Sequence, residues 1–311
     1  MEFRVLKYFL TVAQEENITR AAEVLHTSQS NLSRQLGELE ENLGKKLFIR
    51  GSRKITLTEE GMYLRKRAKE IIELTERTEA ELMSFDDAPS GVVHIGAAET
   101  RLMQRLSESM MSLQKEYPDI SFDIFSGSTI EVNEMVDKGL LDFAVMVAPI
   151  DLTKYDYIEL PIKELTGLLM RKDNPMAKKK TIKAADIKEE PLFVSRQQLD
   201  GDVLTGWLGR DPNTLNIVST FNLITTPSMM VEAGMGSAFT LENLIRTEGD
   251  SSLCFRPLSP KVEVTFYLYW KKYQMFSNAA EAFLEQLRQD ILQSEPKWQS
   301  NPSGRVPSLC S

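Results

Sequence analysis

The sequence predicts a multidomain protein that mixes α-helices and β-strands: a winged helix-turn-helix, a long helix and a two-lobed α/β domain. Three observations predict this fold class. A helix-turn-helix pattern with a short hairpin fills residues 1–58, and a highly charged helical stretch follows it. The remainder alternates strand-like and helix-like runs. A length of 311 residues is enough for two or three domains.

Composition and cysteine content argue against several classes of protein. A hydrophobic content of 42% is ordinary for a globular chain, and no apolar run approaches the length of a membrane span. Cys254 and Cys310 lie far apart, so we expect neither a disulfide framework nor a zinc site, and no cofactor. The N-terminus has no apolar signal region, which predicts a cytoplasmic protein without a membrane partner.

The charge is distributed unevenly along the chain. The net charge is −8, yet residues 1–85 contain as many basic as acidic side chains, so the excess of acids lies beyond them. Residues 44–58 contain lysines and arginines but no acid. A local cationic surface of this kind can follow DNA phosphates even in an acidic chain.

The first two helices are predicted from apolar spacing. Residues 2–15 carry apolar side chains at helical intervals, and Asn17 or Thr19 can cap the helix that follows. That second helix contains Ala21-Ala22, whose small side chains allow another helix to cross closely, as a helix-turn-helix requires. His26-Thr27 supplies the turn.

The third helix is bounded by clear start and stop residues. Ser28 is a good N-cap, and Gly44 ends the helix after about Leu43. Four leucines are expected to face inward: Leu32, Leu36, Leu39 and Leu43.

The exposed face of this third helix begins with amide, hydroxyl and guanidinium groups. Gln and Asn can bind adenine, Arg can bind guanine, and a helix N-terminus favours phosphate. An ordinary surface helix explains the leucines but not this polar start. We therefore expect DNA contacts from the helix and the turns before it, at Thr19, Thr27, Ser28, Gln29, Ser30, Asn31, Ser33 and Arg34.

Two short β-type runs follow, residues 47–50 and 54–58, with Gly51-Ser52 between them. A hairpin beside a helix-turn-helix forms a wing. Its Arg50, Arg53 and Lys54 are expected to hold the DNA backbone, which supplies affinity but little sequence information.

Residues 1–61 carry a specific set of motifs: Ala21-Ala22-x-x-Leu25, Ser28-Gln29, Leu32-Ser33-Arg34-Gln35-Leu36, Leu39-Glu40, Leu43-Gly44, Leu47-Phe48-x-Arg50 and Leu57-Thr58-x-x-Gly61. This set resembles the winged helix-turn-helix of LysR-type transcriptional regulators. Family members often have Pro and then Ala or Ser where this chain has Ser30 and Asn31. The resemblance implies a transcriptional regulator that binds double-stranded DNA under the control of a small-molecule effector, with RNA polymerase as a further candidate partner.

Residues 59–88 are predicted to form a connecting helix and hinge. Leu64, Ala68, Ile71, Thr75, Thr78 and Leu82 recur at heptad spacing. The resemblance implies that this helix dimerises, giving a homodimer or homotetramer. The alternative is a helix that packs only on its own effector domain.

Residues 89–296 are predicted to form the effector-binding domain. Strand-like runs at 92–98, 121–125 and 141–147 alternate with helices, which implies a parallel sheet, and 165–170, 191–194 and 237–240 indicate a second unit. Residues 266–270 return the chain to the first unit, and 279–292 form a closing helix. Lobe I is placed at about 90–162 and 266–296, lobe II at about 163–265, and a disordered tail at 297–311.

This part of the chain resembles the two-lobed effector domain of the same family, of the type II periplasmic-binding-protein kind. Ligands in such sheets bind at the carboxyl ends of strands, where helix N-termini suit a carboxylate or phosphate, so an anionic metabolite is expected. Glu99 does not suit an anion, and two alternatives stay open for it: it faces away from the ligand, or it selects a ligand with an amine or hydroxyl group. Helix capping without a ligand explains the same hydroxyls about equally well. The expected effector contacts are Thr100, Ser128, Thr129, Ala148, Ser195, Arg196 and Thr225.

Two other functions compete with regulation: an enzyme on the α/β lobes, and a solute-binding protein. The chain has two histidines, no paired-cysteine metal motif, no Gly-x-Gly-x-x-Gly and no Gly-x-Ser-x-Gly, which disfavours an enzyme. A solute-binding transport protein requires export, for which the N-terminus lacks the signal.

Overall fold

The computed structural model describes residues 1–51, 54–83, 88–147, 151 and 153–293, with the backbone alone at Arg50, Asp200, Asp202, Asn213 and Gln293. The chain separates into two compact units, residues 1–83 and 84–311. Each unit has hydrophobic clusters of its own. The predicted tail, 297–311, and part of the predicted hinge lie outside the described residues.

The first unit consists of helices and one β-hairpin, and local capping explains where its helices begin. Asn17 Oδ1 accepts from the backbone N–H groups of Thr19 and Arg20 at 2.9 and 3.1 Å, so Asn17 is the cap. Ser28 Oγ caps the third helix, and Gly44 ends it at φ +63°, as predicted. The elements are α1 (Phe3–Glu15), α2 (Ile18–Val24), α3 (Gln29–Leu43), β1 (Phe48–Arg50), β2 (Ile55–Leu57) and α4 (Glu59–Met83).

The core of the first unit lies between these helices and the hairpin. Phe9 is fully buried, and its ring centroid lies 5.1 Å from that of Phe48, which joins α1 to the wing. Three of the four predicted inward leucines are buried. The prediction for Leu43 is wrong: it lies in the last turn of α3, outside the buried cluster, and is 43% exposed.

Helix α4 packs by its first half into this same core. Leu64 and Ala68 are buried there. Two positions of the predicted dimer seam therefore belong to the core of the first unit of the same chain. The heptad pattern misled because an intramolecular core and an intermolecular seam produce the same spacing. Gly61 allows the close approach, since a Cβ at this position would lie 2.1 Å from the Leu47 carbonyl oxygen.

The second unit is a mixed α/β structure. Its helices are α5 (Leu102–Glu116), α6 (Thr129–Asp137), α7 (Arg196–Asp200), α8 (Asp202–Leu208), α9 (Thr225–Glu232) and α10 (Asn278–Gln293). Its strands are β3 (Gly91–Ala97), β4 (Ile120–Ser126), β5 (Phe143–Val147), β6 (Tyr155–Arg171), β7 (Ile182–Lys183), β8 (Leu192–Ser195), β9 (Ile217–Phe221), β10 (Ser237–Leu241), β11 (Leu253–Ser259) and β12 (Glu263–Lys271).

The strands of the second unit follow the order β4-β3-β5-β12-β6-β10-β8-β9, with β11 and β7 paired beyond β6. The parallel pairs β3–β4, β3–β5, β8–β9 and β8–β10 agree with the prediction of parallel lobes. The sheet as a whole is mixed, however, because β6 and β12 run antiparallel to their neighbours. Both lobes therefore share these two strands.

The β6–β12 ladder changes register where the lobes meet. Thr265 pairs with Lys163, but the next residue, Phe266, pairs with Leu160, so β6 has two extra residues at this point. One of them is Pro161, which has no N–H to give to a ladder and is tolerated at such irregularities. In the described part of the chain, no helix combines the length and apolar character that crossing a membrane requires.

Two glycine substitutions test the packing of α4. Gly61→Ala should lower the free energy of unfolding of the first unit by about 1–3 kcal/mol, because the new methyl group collides with backbone. Gly37→Ala in α3 is the matched control, since nothing lies within 4 Å of its Cβ position. It should stabilise by about 0.5–1 kcal/mol through helix propensity. Urea unfolding of both variants measures the difference, and equal effects would contradict the contact.

Candidate DNA-binding surface and effector cavity

The start of α3 presents polar side chains to solvent. Ser28, Gln29, Ser30 and Arg34 are exposed, and Asn31 is half-buried. Leu32 and Leu36 anchor the opposite face in the core, so the polar face is held outward by packing. This surface can offer amide, hydroxyl and guanidinium groups to base edges at once. Among the other predicted contacts, Thr19 is exposed, whereas Thr27 and Ser33 are half-buried.

A chain of hydrogen bonds runs across this polar face. Asn31 Nδ2 donates to Thr27 Oγ1 at 3.1 Å, and Asn31 Oδ1 accepts from Arg34 Nη2 at 3.1 Å. Arg34 Nη1 donates to Glu38 Oε1 at 2.7 Å. The Ser28 and Ser30 hydroxyls are 3.2 Å apart. Asn31 therefore restrains the Arg34 side chain, which leaves other guanidinium N–H groups for a base or phosphate.

The basic residues beside α3 are distributed around the wing. Lys54 Nζ lies 3.0 Å from Glu16 Oε2, and Lys45 Nζ lies 3.4 Å from Glu60 Oε1. These ion pairs are at the surface, where a pair contributes little, so a phosphate can replace the acid at small cost. Of the other predicted wing contacts, Arg53 and the Arg50 side chain lie outside the described residues.

Glu40 joins α3 to the wing. Its side chain is 6% exposed, and Oε1 accepts from the backbone N–H groups of Leu47 at 2.8 Å and Phe48 at 3.2 Å. Oε2 accepts from Lys46 Nζ at 2.9 Å. Burial alone would raise the pKa of Glu40, but the hydrogen bonds from Lys46, Leu47 and Phe48 outweigh it and lower this pKa. The carboxylate thus links α3 to the wing within the candidate DNA-binding surface.

The second unit contains a cavity of about 170 Å³ lined by both lobes. Its walls are mainly apolar, including Phe221, Phe239 and Leu241. Most of its lining residues follow or end strands of the sheet, which is where ligands bind in α/β folds. Its polar lining residues are Glu99, Thr166, Ser195, Gln197, Gln198, Asn222 and Thr240.

Glu99 connects the two lobes at the N-terminus of α9. It follows β3 in lobe I, and its Oε1 accepts from Thr225 Oγ1 at 2.6 Å. Its Oε2 accepts from the backbone N–H of Ile224, the residue before α9. The carboxylate of the protein itself therefore lies at a helix N-terminus, where free N–H groups and the helix dipole favour an anion.

The predicted effector residues divide into two groups. Ser195 lines the cavity while its Oγ caps α7 by accepting from the Gln198 N–H at 3.1 Å. The described residues Thr100, Ser128, Thr129, Arg196 and Thr225 do not line it. Ala148 lies outside the described residues. The effector contacts of all seven residues stay predictions.

Thr100 and Ser128 are engaged within the protein. Thr100 is buried, donates from Oγ1 to Glu164 Oε1 at 2.7 Å and accepts from the Leu102 N–H at 3.1 Å. Burial raises the pKa of Glu164, and the bond from Thr100 opposes that shift only in part. Ser128 forms a capping box with Glu131, and these hydrogen bonds lower the pKa of the Glu131 carboxyl.

Sequence analysis did not predict several cavity residues. Asn222 and Thr240 line the cavity near the ends of β9 and β10. The second of these strands was predicted, and the rule that ligands meet strand ends could have identified Thr240. Strand β9 alternates half-buried and exposed residues and was not recognised, so Asn222 had no detectable signal.

Comparisons with known proteins agree with this division of the chain. The family model described as "Bacterial regulatory helix-turn-helix protein, lysR family" matches residues 3–62. The model "LysR substrate binding domain" matches residues 86–291. Each match falls within one of the two units.

Individual relatives are similar over most of their length. The Hca operon transcriptional activator HcaR of Escherichia coli (strain K12) is 30% identical over 284 residues, which is 88% of this chain and 93% of that protein. The HTH-type transcriptional regulator BsdA of Bacillus subtilis (strain 168) is 33% identical over 201 residues, 63% of this chain and 67% of that protein.

A solved structure of full-length CbnR complexed with its target DNA has the same fold. It aligns with a TM-score of 0.73 and 22% identity over 93% of this chain and 99% of that one.

The tie between α3 and the wing is tested by Glu40→Ala. At neutral pH the variant should lose about 1–3 kcal/mol of unfolding free energy, because one buried and one half-buried backbone N–H group lose their acceptor. The folded-state pKa lies below the ordinary 4.5, so the stabilisation is present above that pH and is lost as the pH falls through the folded-state pKa. The difference in unfolding free energy between the wild type and the variant should therefore become smaller below about pH 4.5.

The neighbouring exposed residue provides the control. Glu41→Ala should change the stability by less than about 0.5 kcal/mol. Chemical unfolding at pH 7 and pH 4 measures both variants. A Glu40→Ala loss that stays constant across this range would contradict the role of the carboxylate charge.

Proposed function

This chain belongs to the LysR family of DNA-binding transcriptional regulators, and from that premise we propose which of its residues bind DNA and which bind its effector. The protein is a transcriptional regulator with an effector-binding domain. We propose residues 1–58 as the DNA-binding domain, 59–88 as the connecting helix and hinge, and 89–296 as the effector domain.

We propose that the first turns of α3 enter the major groove. Gln29, Ser30 and Arg34 supply the base contacts, and Asn31 holds Arg34 in place. The observation that carries this proposal is the exposed polar start of α3, fixed from behind by buried leucines. Ser28 and the helix N-terminus suit a phosphate.

The wing and the residues around it supply the sequence-independent affinity. Lys54, Arg50 and Arg53 contact phosphates in this proposal, with Thr19, Thr27 and Ser33 as further contacts. Electrostatic contacts of this kind make binding depend on salt concentration. In this proposal the whole first unit contributes to DNA affinity, whereas the preference for particular base pairs comes from α3.

We propose that the second half of α4 forms the subunit contact. Ile71 and Leu74 are about 40% exposed, and Leu82 is 68% exposed, whereas Leu64 and Ala68 in the first half are buried in their own unit. Exposed apolar side chains on a charged helix favour burial against a second copy. The assembly is a homodimer or a homotetramer, which presents paired reading heads to a two-fold site.

We propose that a small-molecule effector binds in the cavity between the lobes and sets the regulator's activity. Ser195, Gln198 and Thr240 offer polar contacts within largely apolar walls. The proposal is one of binding and regulation, with no enzymatic step. Because its partner is DNA, we also propose that the protein works in the cytoplasm.

Two substitutions separate base contacts from phosphate contacts. Gln29→Ala should weaken binding to the preferred operator by about 1–3 kcal/mol and relax the preference at one base pair. Lys54→Ala should weaken binding to all sequences and lower the slope of log affinity against log salt by about 1. Operator selection followed by titration at several salt concentrations measures both.

The control for both variants is Gln14→Ala, which changes an exposed glutamine on α1 that is not among the proposed contacts. It should leave affinity and salt slope unchanged. Identical effects of Gln29→Ala and Lys54→Ala would show that their roles are assigned wrongly. A chain without sequence preference and salt dependence would contradict the proposed DNA-binding function.

A further inference from the structure

The polar groups of the cavity indicate a ligand class different from the anion expected from sequence. No lysine, arginine or histidine lines the cavity among the residues that the structure describes, and its one ionisable lining residue is Glu99. An anionic ligand would meet this carboxylate without a basic side chain to compensate. Like charges at close range in an apolar cavity are strongly unfavourable.

The anion position at α9 is already filled. Glu99 accepts hydrogen bonds from the Ile224 N–H and the Thr225 hydroxyl, so its carboxylate satisfies the donors that an effector carboxylate would need. An ionised carboxylate has about four acceptor positions on its two oxygens. Two remain after these bonds, and they can accept from a donor in the cavity.

Thr240 is a second polar residue in the wall of this cavity. Thr240 lines the cavity and is 5% exposed, and its Oγ1 has no hydrogen-bond partner within the described chain. Buried hydroxyls are nearly always paired, because an unpaired one costs about 1–3 kcal/mol. The Thr240 hydroxyl is therefore a polar group of the cavity wall that lacks a partner within the described chain.

The cavity volume and its walls limit the size of the ligand. A volume of about 170 Å³ is close to the roughly 150 Å³ in which an apolar protein cavity holds one benzene molecule. The ring-bearing walls at Phe221 and Phe239 suit an apolar body of that size.

We propose that the effector is a small, largely apolar molecule that donates a hydrogen bond from an amine or hydroxyl group to Glu99, and that it is not a carboxylate or phosphate. This inference rests on the proposed function, because it assigns a ligand class to the proposed effector cavity. Glu99 is then the specificity-determining residue.

Three probes with the same phenyl ring test the ligand class: 2-phenylethylamine, 2-phenylethanol and phenylacetate. At pH 7 the amine and the alcohol should raise the Tm of the full chain by about 2–4 °C at a concentration roughly five times the Kd, and phenylacetate should not. Calorimetric titration of the same samples gives the Kd for each probe.

Substitution of Glu99 by alanine should change the ligand preference from the amine to the carboxylate. Glu99→Ala frees the Ile224 N–H and the Thr225 hydroxyl, so this variant should gain binding of phenylacetate and lose binding of the amine. Glu99→Gln keeps the size but removes the charge, and should weaken amine binding by roughly ten- to a hundred-fold. If Glu99→Ala does not fold, the Glu99→Gln variant alone tests the role of Glu99. Glu108→Gln, an exposed acid on α5, is the matched control and should change nothing.

The outcomes distinguish this inference from the proposed function. Stabilisation of the wild-type chain by phenylacetate, equal to or greater than that by the amine, would overturn the ligand class but leave the cavity as the effector site. Unchanged amine affinity in Glu99→Gln would remove Glu99 as the determinant. If no probe stabilises a chain that still binds its operator, the ligand class is overturned, whereas loss of operator recognition itself contradicts the proposed function.

Discussion

The antiparallel ladder between β6 and β12 is the constraint on which the second unit depends. These two strands pair along both lobes, so their ladder fixes the direction of the strands of one lobe relative to those of the other. The same strands contribute Thr166 and Val264 to the cavity and Glu164 to the bond with Thr100. The two extra residues at Pro161 change the register where the lobes meet. The cavity therefore lies against a pair of shared strands, and its shape depends on that pairing.

The DNA-binding unit could be predicted almost completely because its determinants are local. Caps at Asn17 and Ser28, a stop at Gly44 and apolar spacing fix each helix from a few neighbouring residues. Errors arose where a local pattern has two structural explanations. Leu64 and Ala68 fit a dimer seam and an internal core equally well, and only the packing of α1 against α4 decides between them.

The cavity could be predicted only in outline because its determinants are far apart in sequence. The rule of strand ends located Ser195 and the segment around Glu99, but it cannot say which of two adjacent side chains faces the ligand. Thr100 turns to Glu164 on β6, and Glu99 turns to Thr225 on α9, each across more than sixty residues. The partners that decide these orientations lie on elements that no local pattern connects.

The division of α3 into a buried face and an exposed face affects how the DNA sequence preference of such a regulator can change. Buried leucines and Glu40 hold one face of the helix, whereas Gln29 and Ser30 face solvent in its first turn. Substitutions at exposed positions usually change stability by less than about 0.5 kcal/mol. A duplicated gene can therefore accumulate changes in the first turn without losing its folded product. New operator preferences can evolve neutrally at first, before selection acts on them.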